Sequence, residues 1–147
     1  MAQFQAYNKL LISQAEEIMN YRAGGCILGY LFCSQYPSYR GTFLSCIEDM
    51  KVYVDGEQIP EDRIYFQLKG KQFLISQFRE LYKEYWFILD KAKILVRKDG
   101  GLEMGSSHKI RVEMKHRIPY TGYFGNYLSL DGSDEKTLAV KGEVQTL

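Results

Sequence analysis

The chain has 147 residues, which at roughly 100–200 residues per domain makes one compact unit spanning 1–147. Apolar residues are 46% and charged residues 25%, an ordinary globular balance that excludes intrinsic disorder. Lys and Arg number 19 against 18 Asp and Glu, so the net charge of +1 argues against a nucleic-acid partner; the unusual figure is the aromatic share, 14%.

Three Cys, at 26, 33 and 46, form no CxxC and cannot all pair. Cys26 and Cys33 sit in an apolar run, where a free thiol behaves as a small hydrophobe. This usage points to a reducing, cytoplasmic setting. The segment Met1 to Ile12 lacks a basic stretch followed by an apolar core, so no leader is expected. The longest apolar run, around Cys26 to Ser34, is about half of the ~20 residues that a membrane span needs, so no membrane partner is expected.

In chain order, Leu10-Leu11-Ile12 reads either as a strand or as the start of a helix through Met19. After Gly24-Gly25, Cys26 to Cys33 is apolar on both parities, the pattern of a strand covered on both faces. Tyr36 to Gly41 is a loop by its Pro and Gly. Met50 to Val54 alternates and runs into Asp55-Gly56, a tight hairpin signal because both residues tolerate positive φ. Arg63 to Leu68, Lys69-Gly70 and Lys71 to Ile75 repeat that pattern.

From Ser76 the period changes. Phe78, Leu81, Tyr82, Tyr85, Trp86 and Leu89 fall on one helical face, with Ser76 as N-cap, which predicts the one short helix. Strands resume at Ala92 to Arg97, and Lys98 to Gly101 is a turn. His108 to Ile118 alternates throughout, with His108, Ile110, Val112, Met114, His116 and Ile118 on one face. Pro119 to Ser133 reads as a loop, Lys136 to Val140 as a last strand, and the rest as a polar tail. The whole predicts an all-β fold, a β-sandwich of antiparallel strands with one short helix.

The residues offer little catalytic chemistry. The two His lie eight positions apart on one strand, roughly 26 Å if it is straight, so they cannot share an ion and read as strand-end residues with satisfied rings. No GxSxG, GxGxxG or GxxxxGK[ST] motif is present. Asp131 to Glu135 has the composition of a calcium loop without its spacing, and reads as a solvated turn. Glu48 shares parity with Met50, Val52 and Val54. Extending that strand back would bury it beside a partner such as Arg40. The favoured reading starts the strand at Met50 and leaves Glu48 and Asp49 in a loop, since a buried unpaired carboxylate is expensive. What remains is loop aromatics: Tyr36, Tyr39, Tyr120, Tyr123, Phe124 and Tyr127. They either cap the sandwich ends or form a contact surface, since Tyr carries a large apolar body at low entropy cost.

Tyr39-Arg40-Gly41, Glu48-Asp49, Val52-Tyr53-Val54-Asp55-Gly56 and Ile59-Pro60 together resemble the β subunit of bacterial C-glycoside deglycosidases. The resemblance continues through Trp86, Lys98-Asp99-Gly100-Gly101-Leu102, Arg117-Ile118-Pro119-Tyr120 and Lys136-Thr137-Leu138, covering roughly Tyr30 to Val140. It departs from the family pattern at Lys98-Asp99, where a proline is expected, and at the more apolar segment Gln77 to Trp86.

The resemblance implies a subunit of a carbon–carbon lyase that cleaves 3-keto C-glucosides of flavonoids and isoflavonoids. It implies a TIM-barrel α subunit as partner, carrying the acid–base residues and a divalent metal, manganese by type. No cofactor and no catalytic residue are then expected on this chain. The partner contacts expected are Tyr36, Tyr39, Arg40, Tyr120, Tyr123 and Phe124. The alternative is a free-standing intracellular module that binds a carbohydrate or aryl glycoside with the same aromatics.

Overall fold

In the computed structural model the chain is described over residues 11–12, 15–37, 41–118 and 128–145. Its strands are β1 (Glu17–Ala23), β2 (Cys26–Ser34), β3 (Thr42–Phe43), β4 (Ile47–Val54), β5 (Glu57–Gln58), β6 (Ile64–Leu68), β7 (Lys71–Leu74), β8 (Tyr85–Trp86), β9 (Ala92–Arg97), β10 (Ser107–Ile118), β11 (Leu128–Asp131) and β12 (Asp134–Gln145). The fold is all-β. One sheet runs β5-β4-β10-β12-β1-β2-β9-β6-β7, with β11 also on β10, and curls over so that its inner face encloses the core. β3 and β8 form a separate two-stranded ribbon. The packed layers are thus continuous within one sheet. All pairings are antiparallel except β1 with β12, which is parallel.

Alternation builds the core. Ile110, Val112, Met114 and His116 of β10 are buried while Lys109 and Lys115 point out. They meet Tyr30 and Phe32 of β2, Ile94 and Val96 of β9, and Phe66 of β6 in one cluster. Each fully buried aliphatic or Phe side chain contributes on the order of 1.5–3 kcal/mol. β2 is covered on both faces, as its sequence predicts. Its Leu31 packs with Tyr21 and Leu95 in a second cluster on the outer face. Gly29 lies where β2 and its paired neighbour β9 approach closely, since a Cβ there would stand 2.0 Å from the Val96 carbonyl oxygen.

Both predicted hairpins form. Asp55 and Gly56 have φ of 53° and 83°, and Lys69 and Gly70 have 54° and 81°, the left-handed pair that a two-residue hairpin turn requires.

Three expectations are corrected. The helix predicted from Ser76 is only a 3₁₀ turn, Ile75–Glu80, held at its start by the Leu74 amide donating to Gln77 Oε1 at 2.8 Å. The chain then turns and enters β8, so Phe78 and Trp86 are buried but Tyr82 and Leu89 are exposed. The first strand of the Asp55 hairpin starts at Ile47, not Met50. Ile47 faces His116 and Asp49 faces Lys115, leaving Glu48 as the extra residue of a bulge, which turns it outward and breaks its parity with Met50. The polar tail is strand through Gln145, paired with β1.

Candidate functional site

β10 carries its two histidines on the inward face near opposite ends of the strand, and each end of the interior is organised around one of them. At one end His116 is wholly buried. Its Nδ1 meets the Tyr36 hydroxyl at 2.5 Å, and the two rings pack edge to face. Tyr36 in turn lies 5.3 Å, centroid to centroid, from Trp86, which packs at 5.0 Å on Phe66. The Trp86 indole N–H donates to the Asp90 carbonyl at 2.9 Å. This aromatic plug closes the interior.

Trp86 belongs to β8, and its ribbon presents the opposite parity outward. Phe43 on β3, Tyr85 on β8 and the following Phe87 stack edge to face at 5.0 and 4.8 Å. Phe43 is 41% exposed, Phe87 54%, Tyr82 67% and Leu89 84%. Gly41 permits the close approach at the ribbon's start: a Cβ there would lie 2.5 Å from the Trp86 carbonyl oxygen. The outcome is a rigid aromatic surface backed by a buried plug.

The other end is polar and open. The Asp55 carboxylate accepts from His108 Nδ1 at 2.7 Å and from the Lys109 amide at 2.9 Å, and these bonds hold its pKa below the ordinary carboxylate range. His108 Nε2 lies 2.8 Å from Ser106 Oγ. The connectivity copies an Asp–His–Ser triad, but Ser106 Oγ also reaches the Glu103 carbonyl at 2.5 Å, an acceptor that competes with the imidazole for its single proton. The neighbouring amides are spent. Gly105 donates to the Val140 carbonyl and Ser106 to that of Glu103, leaving neither as an oxyanion donor. Among the described residues no group of three or more His, Cys, Asp or Glu side chains comes together as a metal site.

Of the partner contacts expected from sequence, Tyr36 is placed inside the fold, 1% exposed, where it serves the aromatic plug. A loop aromatic followed by Pro gives no local sign of burial; the burial comes from Trp86 and His116, far away in sequence. Tyr39, Arg40, Tyr120, Tyr123 and Phe124 lie outside the described residues. Sequence reading missed Phe43, Tyr82, Phe87 and Leu89 as a surface. Only Tyr82 lies in the segment Gln77 to Trp86 noted as more apolar than the family pattern; Phe43, Phe87 and Leu89 carry no such mark.

A profile of the C-glycoside deglycosidase beta subunit family matches residues 7–120. The chain belongs to this family. The match spans β1 to β10 and stops before β11 and β12. A C-glycoside deglycosidase beta subunit of Eubacterium cellulosolvens is 30% identical over 110 residues, which is 75% of this chain and 71% of the relative. One from Arthrobacter globiformis is 28% identical over 66% of this chain and 77% of its own length. A 3'-dehydrocarminate deglycosidase beta subunit from a Microbacterium species is 30% identical over 77% of this chain and 84% of its own length.

Proposed function

We propose that this chain is the small subunit of a heteromeric C-glycoside deglycosidase, and that it docks on the larger subunit through the aromatic ribbon. The observation that carries this reading is the exposed set Phe43, Tyr82, Phe87 and Leu89 on a member of a family of beta subunits. Aromatic side chains held rigid by their neighbours lose little entropy on docking and dominate interface energetics. The loop residues Tyr39 and Arg40 lead directly into the ribbon in sequence, and with Tyr120, Tyr123 and Phe124 they complete the proposed contacts. Tyr36 contributes from within, by holding Trp86 in place.

Under this reading the bond is broken on the larger subunit, a TIM barrel by the family resemblance. In a 3-keto sugar the ketone acidifies the C2 proton and a base removes it; the C1–C2 double bond then forms as the C1–aryl bond breaks, and the departing aryl carbon takes up a proton from an acid. A divalent metal, manganese by resemblance, would belong to that larger subunit and stabilise charge on the ketone oxygen. The present chain stabilises and shapes that pocket in a cytoplasmic complex. No helix among its described residues is long and apolar enough to cross a membrane.

The test is to assay cleavage of a 3-keto C-glucoside by this chain alone and by the complex purified through a tag on it. The expected result is turnover by the complex and none by the isolated chain. Turnover by the isolated chain, or a copurified protein with no such activity, overturns the proposal.

A further inference from the structure

Four neighbouring strands, β1, β2, β9 and β6, carry an apolar row across the outer face of the sheet. Met19 stands beside Leu31, Leu31 beside Leu95, and Leu95 beside Tyr65. Tyr21, Leu31 and Leu95 are buried there, and Met19, Leu28, Tyr65 and Val144 pack against them half-buried. Among the described residues every member of this cluster comes from the sheet itself, so no second layer covers it. Leu31 and Val144 line a hollow of about 510 Å³ together with Gly70, Gln72 and Lys93. Val144 of β12 and Gln72 of β7 border it from opposite sides of the four strands, as the saddle shape of a twisted sheet allows.

Charge and position say what covers this face. The strands β1, β2, β6 and β9 contain one acidic residue, Glu17. Against it stand Lys93 and Arg97, exposed at outward positions of β9, and the exposed Lys91 just before that strand. None of these three cations forms an ion pair among the described residues, whereas Arg22 of β1 is held by Glu143. The whole chain is nearly neutral at +1, so the excess is local. A second copy packed face to face would bring the same sign. The complement is an apolar surface edged with carboxylates. The Tyr21 ring is buried, which leaves little aromatic face on which bases could stack. The face also adjoins the ribbon. Lys69 Nζ lies 5.4 Å from the centre of the Phe87 ring, and the next residue, Gly70, lines the hollow. Phe87 and Leu89 lead through Lys91 directly into β9.

We propose that the larger subunit covers this outer face as well as the ribbon, with an apolar projection in the hollow and Asp or Glu side chains on Lys91, Lys93 and Arg97. The inference rests on the small-subunit reading and adds the chemistry of the partner's surface. Charges at the rim of an interface steer the encounter and are screened by salt, whereas the ribbon's apolar contact is not. Assembly is therefore fast at low ionic strength and slows as salt rises.

The experiment times association of the full chain with the larger subunit, the protein that copurifies with it, at about 50 mM and about 500 mM salt. The unaltered chain should associate at least about tenfold faster at the lower salt. Lys93→Glu with Arg97→Glu should slow association at low salt by about tenfold or more and remove most of the salt dependence, with Lys93→Gln and Arg97→Gln falling between. Both positions are exposed, so the urea midpoint of each variant should stay where it is. Rates that change less than about threefold with salt and with charge reversal overturn this inference, and if Phe87→Asp with Leu89→Asp still abolishes association, the ribbon reading survives it. Charge reversal that slows association while the ribbon variant leaves it unchanged sinks the ribbon and keeps the outer face. Two other results overturn the inference: an isolated chain that dimerises by light scattering and is made monomeric by the charge reversal, or one that binds a single-stranded oligonucleotide through Lys93 and Arg97. No association with any larger protein overturns both readings.

Discussion

His116 and His108 stand on one face of one strand, and their surroundings are opposites. Against His116 the Tyr36 ring packs edge to face with Trp86 behind it, the imidazole is wholly buried, and the ribbon that carries Trp86 presents exposed aromatics outward. Around His108 the partners are a carboxylate and a hydroxyl, and the interior is open to water through a cavity edged by charged groups of both signs. One end suits a large partner that excludes water, and the other stays open to solvent. The difference arises from what stands at each end: the ribbon supplies Trp86 as a lid at one, and at the other the described residues leave an open cavity over Val54 and Val96.

The contrast can be broken hardest at the lid. Trp86→Ala removes the largest side chain of the closed end and should destabilise the chain by about 3–5 kcal/mol, read from the midpoint of urea unfolding. A loss under about 1 kcal/mol would mean that the plug is not what closes the interior. Next in size is the outer face of the same ribbon. Phe87→Asp with Leu89→Asp should weaken association with the larger subunit by at least about tenfold while moving the unfolding free energy by no more than about 0.5 kcal/mol. Equal losses in both measurements would turn the ribbon into a folding element. Tyr36→Phe should then cost about 1–3 kcal/mol by denaturation, since it leaves His116 Nδ1 buried without the hydroxyl.

The smallest effect belongs to the open end, and it is a pH effect. Because the folded pKa of Asp55 is depressed, its contribution is fully present above the unfolded carboxylate value, about 3.9, and is lost as pH falls below it toward the folded value. Asp55→Asn should therefore flatten the acid limb of the stability curve and change little near neutrality. An unchanged acid limb would show that the Asp55–His108 bond does not persist in solution.

Much of this fold is legible in the sequence because its signals are local. Asp55-Gly56 and Lys69-Gly70 declare their turns through the backbone conformation they must adopt, and the alternation of β10 declares its faces. The same aromatics that misled the reading at Phe78 to Leu89 show why a period can deceive. Their spacing fits a helix, but Phe78 reaches the core from a 3₁₀ turn and Trp86 from a ribbon strand, and the exposed members in between have no common core face to share. Glu48 was misplaced in a loop because a bulge leaves no compositional mark. The parallel joining of β1 to β12 unites residues more than a hundred positions apart, and no local pattern encodes it. The open cavity was invisible for the same reason: its lining comes from β2, β4, β5, β9, β10 and the loops between strands.

The central claim is that this family member works by assembly, through the ribbon. The most direct measurement is light scattering with activity assay on the complex purified through the tagged chain, alongside the Phe87→Asp, Leu89→Asp variant. The account predicts a hetero-oligomer that cleaves a 3-keto C-glucoside for the unaltered chain, and a folded, inactive monomer for the variant. A variant that still assembles into an active complex, or an unaltered chain that stays monomeric beside its partner, would contradict it.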